Sequence, residues 1–167
     1  MEMDERIVIK DTPEKYAEMA KVIVPPFLEL MKTLTDLEDK AFVRSGELDA
    51  EKAEMGIPSS IIHPGYMEFI NAYRAQYREA LSGMCTKKMF ARPFGVSIHH
   101  PARYLDALEG TVFFTMKSDK KAMIDIKNNE GRSLKHRFIF KVEDDVWKID
   151  EVRYGFGEED KWYVENL

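Results

Sequence analysis

Phe138-Ile139-Phe140-Lys141-Val142-Glu143-Asp144-Asp145-Val146-Trp147-Lys148-Ile149-Asp150 is the stretch that decides the fold. Two runs rich in β-branched and aromatic residues flank an acidic turn, the pattern of two antiparallel strands joined by a tight hairpin. On the first run His136, Phe138, Phe140 and Val142 share one face, while Arg137, Ile139 and Lys141 share the other, so one face belongs to a core. On the second run Trp147 and Ile149 have one parity, and Val152, Tyr154 and Phe156 have the opposite one. A β-bulge at Asp150-Glu151 brings all five to the same side. Because bulges bend a strand and raise its twist, the sheet is expected to curve.

Upstream of this hairpin the period of two continues. Turn signals at 117–120, 128–131 and 143–145 separate four strand-like runs, 111–116, 121–127, 132–142 and 146–156. Connections this short join antiparallel neighbours, so the second half of the chain reads as a meander.

The first half has the period of a helix. Asp11-Thr12-Pro13-Glu14 opens it, either with Asp11 as cap and Glu14 closing a capping box, or with Thr12 as cap and Pro13 in the first turn. Apolar residues then recur at Tyr16, Met19, Ala20, Ile23, Phe27, Leu30, Met31, Leu34 and Leu37, the spacing of one buried stripe. Pro25-Pro26 is expected to kink or break this helix into two segments, since proline removes a donor and clashes with the preceding turn. Ser45-Gly46 is expected to end it, leaving 47–55 as a short charged surface helix closed by Gly56. A further helix runs from His63-Pro64 to Ser82-Gly83 and buries Tyr66, Phe69, Ile70, Tyr73, Tyr77 and Leu81. Between 84 and 108 the pattern offers strands at 87–91 and 96–100 and a short helical piece at 101–108. The fold class that follows is α+β, with N-terminal helices packed on a curved antiparallel sheet in one domain, 1–167.

Composition agrees with such a domain: 167 residues, 44% hydrophobic and 33% charged, with ten Phe and seven Tyr, exclude a disordered chain. The lone Cys85 asks for no oxidising compartment and reads as a small apolar filler. The first ten residues mix acids and bases and lack the apolar run of a signal peptide, so a cytoplasmic location is expected. The most apolar stretch, 22–31, is interrupted by Pro25, Pro26 and Glu29 and is much shorter than the roughly 20 residues a membrane span needs. No membrane partner is expected.

A net charge of −5 argues against a nucleic-acid partner. The charge is unevenly placed. From Arg74 to Arg103 there are six basic residues against one acid, and from Glu143 to Glu165 nine acids against three bases. Beside the plain reading of two solvated faces, the second stretch suits a basic partner. Its candidate partner-binding residues are Asp144 and Asp145 at the hairpin turn and Glu158, Glu159 and Asp160 after the last strand.

Motifs of chemistry are missing. His99 and His100 are adjacent and point to opposite faces of a strand, no two histidines lie at helical ligand spacing, and there is one cysteine, so neither metal nor cofactor is expected. The chain has no Gly-rich phosphate loop and no G-x-S-x-G elbow. His63 reads as a helix-entry residue, His136 as a half-buried strand residue, and Tyr66, Tyr73, Tyr77 and Trp147 as packing aromatics. No acid is placed in the interior by these patterns, and no catalytic residue is assigned.

The helices, the curved meander and the hairpin Phe138-Ile139-Phe140-Lys141-Val142, acidic turn, Trp147-Lys148-Ile149 together resemble the cone-shaped fold of nuclear transport factor two and ketosteroid isomerase, over about residues 13–156. Within that superfamily the long helical N-terminus and Val152-Arg153-Tyr154-Gly155 look most like bacterial immunity proteins from polymorphic toxin systems. That resemblance implies a cytoplasmic antidote that binds a cognate toxin protein without turnover. The same architecture also hosts small-molecule binders and enzymes of the isomerase or dehydratase type that use the cone interior, as well as modules that dimerise through the sheet.

Overall fold

The computed structural model describes residues 4–93, 97–128 and 134–167. In chain order its elements are β1 (Ile7–Ile9), α1 (Glu14–Ala17), α2 (Ala20–Glu54), α3 (Tyr66–Leu81), α4 (Lys87–Phe90), α5 (Asp106–Glu109), β2 (Thr111–Ser118), β3 (Lys121–Lys127), β4 (Leu134–Glu143), β5 (Val146–Phe156) and β6 (Trp162–Glu165). The strands lie side by side in sequence order in one sheet, with β1 parallel to β2 and each other neighbour antiparallel. The expected α+β class and four-strand meander are present, extended by short edge strands on both sides. Residues 132–133 of the third expected strand, 129–131 of the turn before it and residue 96 lie outside the described residues.

The bulge sits where the parity break requires it. Ile139 pairs with Glu151 and Phe140 with Ile149, which leaves Asp150 as the extra residue. Trp147, Ile149, Val152 and Tyr154 thereby fall opposite Val142, Phe140, Phe138 and His136, all on the face that packs against the helices. Asp150 is buried and does more than fill a gap. Its carboxylate accepts a hydrogen bond from the Thr86 hydroxyl at 2.9 Å, while Lys141 and Lys88 stand 3.2 and 3.6 Å away.

Thr86 in turn caps α4, accepting from the Met89 amide at 3.3 Å. Residues 87–91 are therefore helical, not the expected strand: the only sheet-like pairing here is a single bridge from Cys85 to Ile149. Residues 97–100 form no strand either. The Cys85 thiol is buried, and burial pushes its pKa up to about 12, as suits a filler.

The largest departure from expectation is α2, which runs unbroken for 35 residues, roughly 52 Å. Pro25 and Pro26 deprive the carbonyls of Lys21 and Val22 of their helical donors. Lys21, Val22, Pro25 and Pro26 are all exposed, so the freed carbonyls lie on the solvent side, and Ile23, Val24 and Phe27 on the opposite side stay packed. Gly46 likewise lies inside the helix, and residues 47–54 are its last turns, not a separate element.

The core lies between the sheet and α2 and α3. Phe27 packs edge-on against Phe138 and Phe140, centroids 4.9 and 5.9 Å apart, with Val112, Phe114, Ile124, Ile126, Ile149 and Val152 beside them on the sheet. Trp147 is half-buried against this cluster. Among the described residues no helix is long and apolar enough to cross a membrane.

Candidate functional site

At one end of the helix-facing side of the sheet, a chain of polar side chains threads the interior. Glu38 occupies a position of the buried α2 stripe, one turn beyond Leu34, and is 4% exposed. Its carboxylate accepts from the amide and Nδ1 of His99 and from the amide of Arg103, each at 2.8 Å. Three charge-assisted bonds offset much of the cost of taking a carboxylate out of water. They also tie the 99–103 segment to the middle of α2.

Arg103 continues the chain. It donates to the Tyr77 hydroxyl on α3 at 3.2 Å and to the Asn166 carbonyl at 3.1 Å, and stands 3.5 Å from the Glu165 carboxylate on β6. Burial works against the Arg103 charge, but Tyr104, Tyr77 and Glu165 outweigh it and hold the guanidinium above its ordinary pKa. Glu165 then reaches His136 on β4, whose Nδ1 lies 2.9 Å from its other oxygen. A carboxylate only accepts, so the proton sits on Nδ1 and Nε2 is left with a lone pair in the neutral ring. His136 is 2% exposed and therefore fully buried, not half-buried as its strand position suggested.

The ring of Tyr104 stands edge-on against His136 and Phe138, with centroids 5.0 and 5.2 Å away. Burial pushes its phenol well up, and its hydroxyl has no hydrogen-bond partner among the described residues. Beside this network a cleft of about 480 Å³ opens, lined among others by His99, Arg103, Asp106, Leu134, Tyr154 and Glu165. Burial raises the Asp106 carboxyl above its usual range against the opposing pull of His136, and Glu109 adds to the rise. An acid with a raised pKa beside a Glu-His pair is a composition able to move protons.

Sequence reasoning placed no acid inside, and the buried Glu38 and Asp150 correct that, while Asp106 and Glu165 are half-buried at the cleft. Glu38 had a signal, since it falls on the apolar stripe of α2. Glu165 had none, because β6 is four residues long and follows an acidic turn.

The residues predicted to bind a partner are all exposed. Asp144 and Asp145 form a two-residue turn between the paired Glu143 and Val146, both with positive φ, 53° and 61°, the mirror-image turn that matches strand twist. Glu158, Glu159 and Asp160 lie in the connection between β5 and β6. The structure does not bring the two clusters together: β5 separates them with 11 residues, roughly 30 Å at about 3.3 Å per residue.

Of the remaining histidines, His63 accepts from the Gly65 amide at 2.8 Å and faces Glu51 at 3.0 Å, a helix-entry role as expected. His100 stacks on Phe42 at 4.1 Å. No protein-family model, curated protein or solved structure matches this chain.

Proposed function

We propose that the chain acts by stoichiometric binding to a protein, as a cytoplasmic immunity protein that neutralises a cognate toxin of a bacterial polymorphic toxin system without turnover. The resemblance of the 138–149 hairpin and its flanks motivates the reading. The observation that carries it is that the buried charges are held by one another and by fixed neighbours, Glu38 by three donors and Arg103 by Tyr77, Asn166 and Glu165, with the Tyr104 hydroxyl and Arg103 Nε left unpartnered among the described residues, while the face of the sheet beneath the helices is filled by aromatic and branched side chains. Side chains tied into a fixed network suit a rigid scaffold that presents its surface, and the acidic hairpin turn is such a surface. The test is to read the coding sequence immediately upstream and to co-express the chain with the C-terminal domain of a large protein found there. A 1:1 complex and rescue of growth are expected. A toxin domain that kills equally in the presence of the chain, with no complex on size exclusion, overturns the reading.

A second reading has its own observation, the cleft lined by Asp106, with its raised carboxyl, and by Glu165, which holds the buried His136 behind it. It makes the chain a small-molecule binder or an isomerase- or dehydratase-type enzyme, with His136 and Asp106 moving the proton. Turnover of a carbonyl or hydroxy compound by the isolated chain, abolished by His136→Gln with the fold intact, selects this reading over the first. Thermal stability unchanged across such a compound library removes it.

A further inference from the structure

The face of the sheet turned away from the helices is rich in basic side chains, of which Lys135 is buried with its Nζ donating to the Glu159 carbonyl at 2.7 Å. Adjacent strands there place like charges directly opposite one another: Lys121 faces Lys141, which faces Lys148; Lys127 faces Lys135; and Arg137 faces Arg153. Like charges at such cross-strand positions are destabilising, with side chains about 5 Å apart at their bases. The acids of this face are engaged locally: Asp125 accepts from Nε and Nη2 of Arg137 at 2.8 and 2.9 Å, and Glu151 holds Arg153 at 3.0 Å. Lys141 and Lys148 have partial partners in Asp150 and Glu143, the latter at 4.0 Å. Lys117 and Lys121 are exposed and in no ion pair among the described residues, and with Thr115, Ser118 and Met123 they line a recess of about 140 Å³. Between the lysine rows lie the half-buried Met123 and the buried Ile139.

We propose that this outer sheet face is a docking surface for an acidic protein segment, with the recess between Lys117 and Lys121 seating one of its carboxylates. Charge selects the occupant. A second copy of this chain laid face to face would bring its lysines against the same basic face, which disfavours a symmetric dimer on this surface. A nucleic acid is disfavoured because the two arginines, the side chains that match phosphate as a fork, already hold carboxylates, and because the whole chain is net negative. Lysines around an apolar strip instead fit an extended segment that alternates acidic and apolar residues, adding side-chain contacts without needing a free strand edge. The inference rests on the chain being a binding protein, but it names a face and a partner chemistry that the toxin reading leaves open.

The experiment uses the full chain and a fluorescein-labelled peptide of four Glu-Leu repeats, read by anisotropy at 20 and 300 mM salt, beside an eight-nucleotide oligothymidylate. Expected are binding of the peptide at low salt, a loss of at least tenfold at high salt, and a similar loss in the double variant Lys117→Glu, Lys121→Glu. The double variant Lys32→Glu, Lys40→Glu on α2, with the same change of charge, keeps the wild-type affinity. Because Lys121→Glu places an acid opposite Lys141, the first variant is expected to melt no lower than wild type, so its loss of binding is not a loss of fold. Failure of the peptide to bind, equal losses in the two double variants, or tighter binding of the oligonucleotide overturns the proposal. A chain that neutralises its toxin yet ignores the peptide overturns this inference and leaves the proposed function standing.

Discussion

Asp150 shows how one side chain couples a strand irregularity to a helix. Its burial favours the protonated form, but the Thr86 hydroxyl and the charges of Lys141 and Lys88 outweigh this and hold its pKa below the ordinary 3.8. A carboxyl depressed in the folded state adds stability that is present above its unfolded pKa and disappears as pH falls through the folded value. The urea midpoint of the wild type should therefore drop more steeply below about pH 4 than that of Asp150→Asn, which lacks the titrating group. Parallel pH profiles for the two proteins would show that the bulge carboxylate is not coupled to folding. Trp147, three residues earlier, tests the same hairpin through packing. Truncating a large aromatic costs about 3 to 5 kcal/mol when fully buried. Half-burial against the core cluster places Trp147→Ala near the lower end, and an unchanged denaturant midpoint would move Trp147 from core to candidate contact.

The four strands of the meander and α3 were legible because each repeats its period over several turns or pairs. Misread segments each had a local signal that tertiary context overrode. Pro25-Pro26 and Gly46 read as breaks, yet the prolines fall on the solvent side, where water can serve the freed carbonyls, and Gly46 is carried by the packing of Leu48 and by α3 alongside. A Cβ at Gly46 would meet nothing within 4 Å. Gly46→Ala should consequently stabilise the chain by about 0.5 to 1 kcal/mol, the cost of glycine in a helix interior, read as a rise in the thermal midpoint. A fall would mean that α2 bends at this point in solution. Lys87 to Ala91 was too short for its pattern to separate strand from helix, and the cap by Thr86 decided it. β1 and β6, of three and four residues, had no period to read.

The acidic surface predicted from a run of sequence is, in three dimensions, two surfaces at opposite ends of β5. With a Debye length of about 8 Å at physiological ionic strength, clusters roughly 30 Å apart act independently on an approaching partner. If the proposed toxin partner is found, replacing Asp144 and Asp145 with their amides should slow association with it at low salt and less so at high salt, whereas the amide variant of Glu158, Glu159 and Asp160 should leave the rate near wild type, or the reverse. Equal slowing by both would require a partner that spans the strand, and no slowing by either would transfer the contact to the basic outer face. The residues alone established the α+β class, the meander, the bulge, the α3 stripe and the exposed acidic turn, because each depends on periodicity or turn chemistry within a few neighbouring positions. Only the tertiary structure brought Glu38, Arg103, Glu165 and His136 into one network, and only strand pairing stacked lysine on lysine across the outer face. These groups come from α2, the 99–103 segment, β4 and β6, far apart along the chain, and which charges meet is set by register and packing that no local pattern encodes.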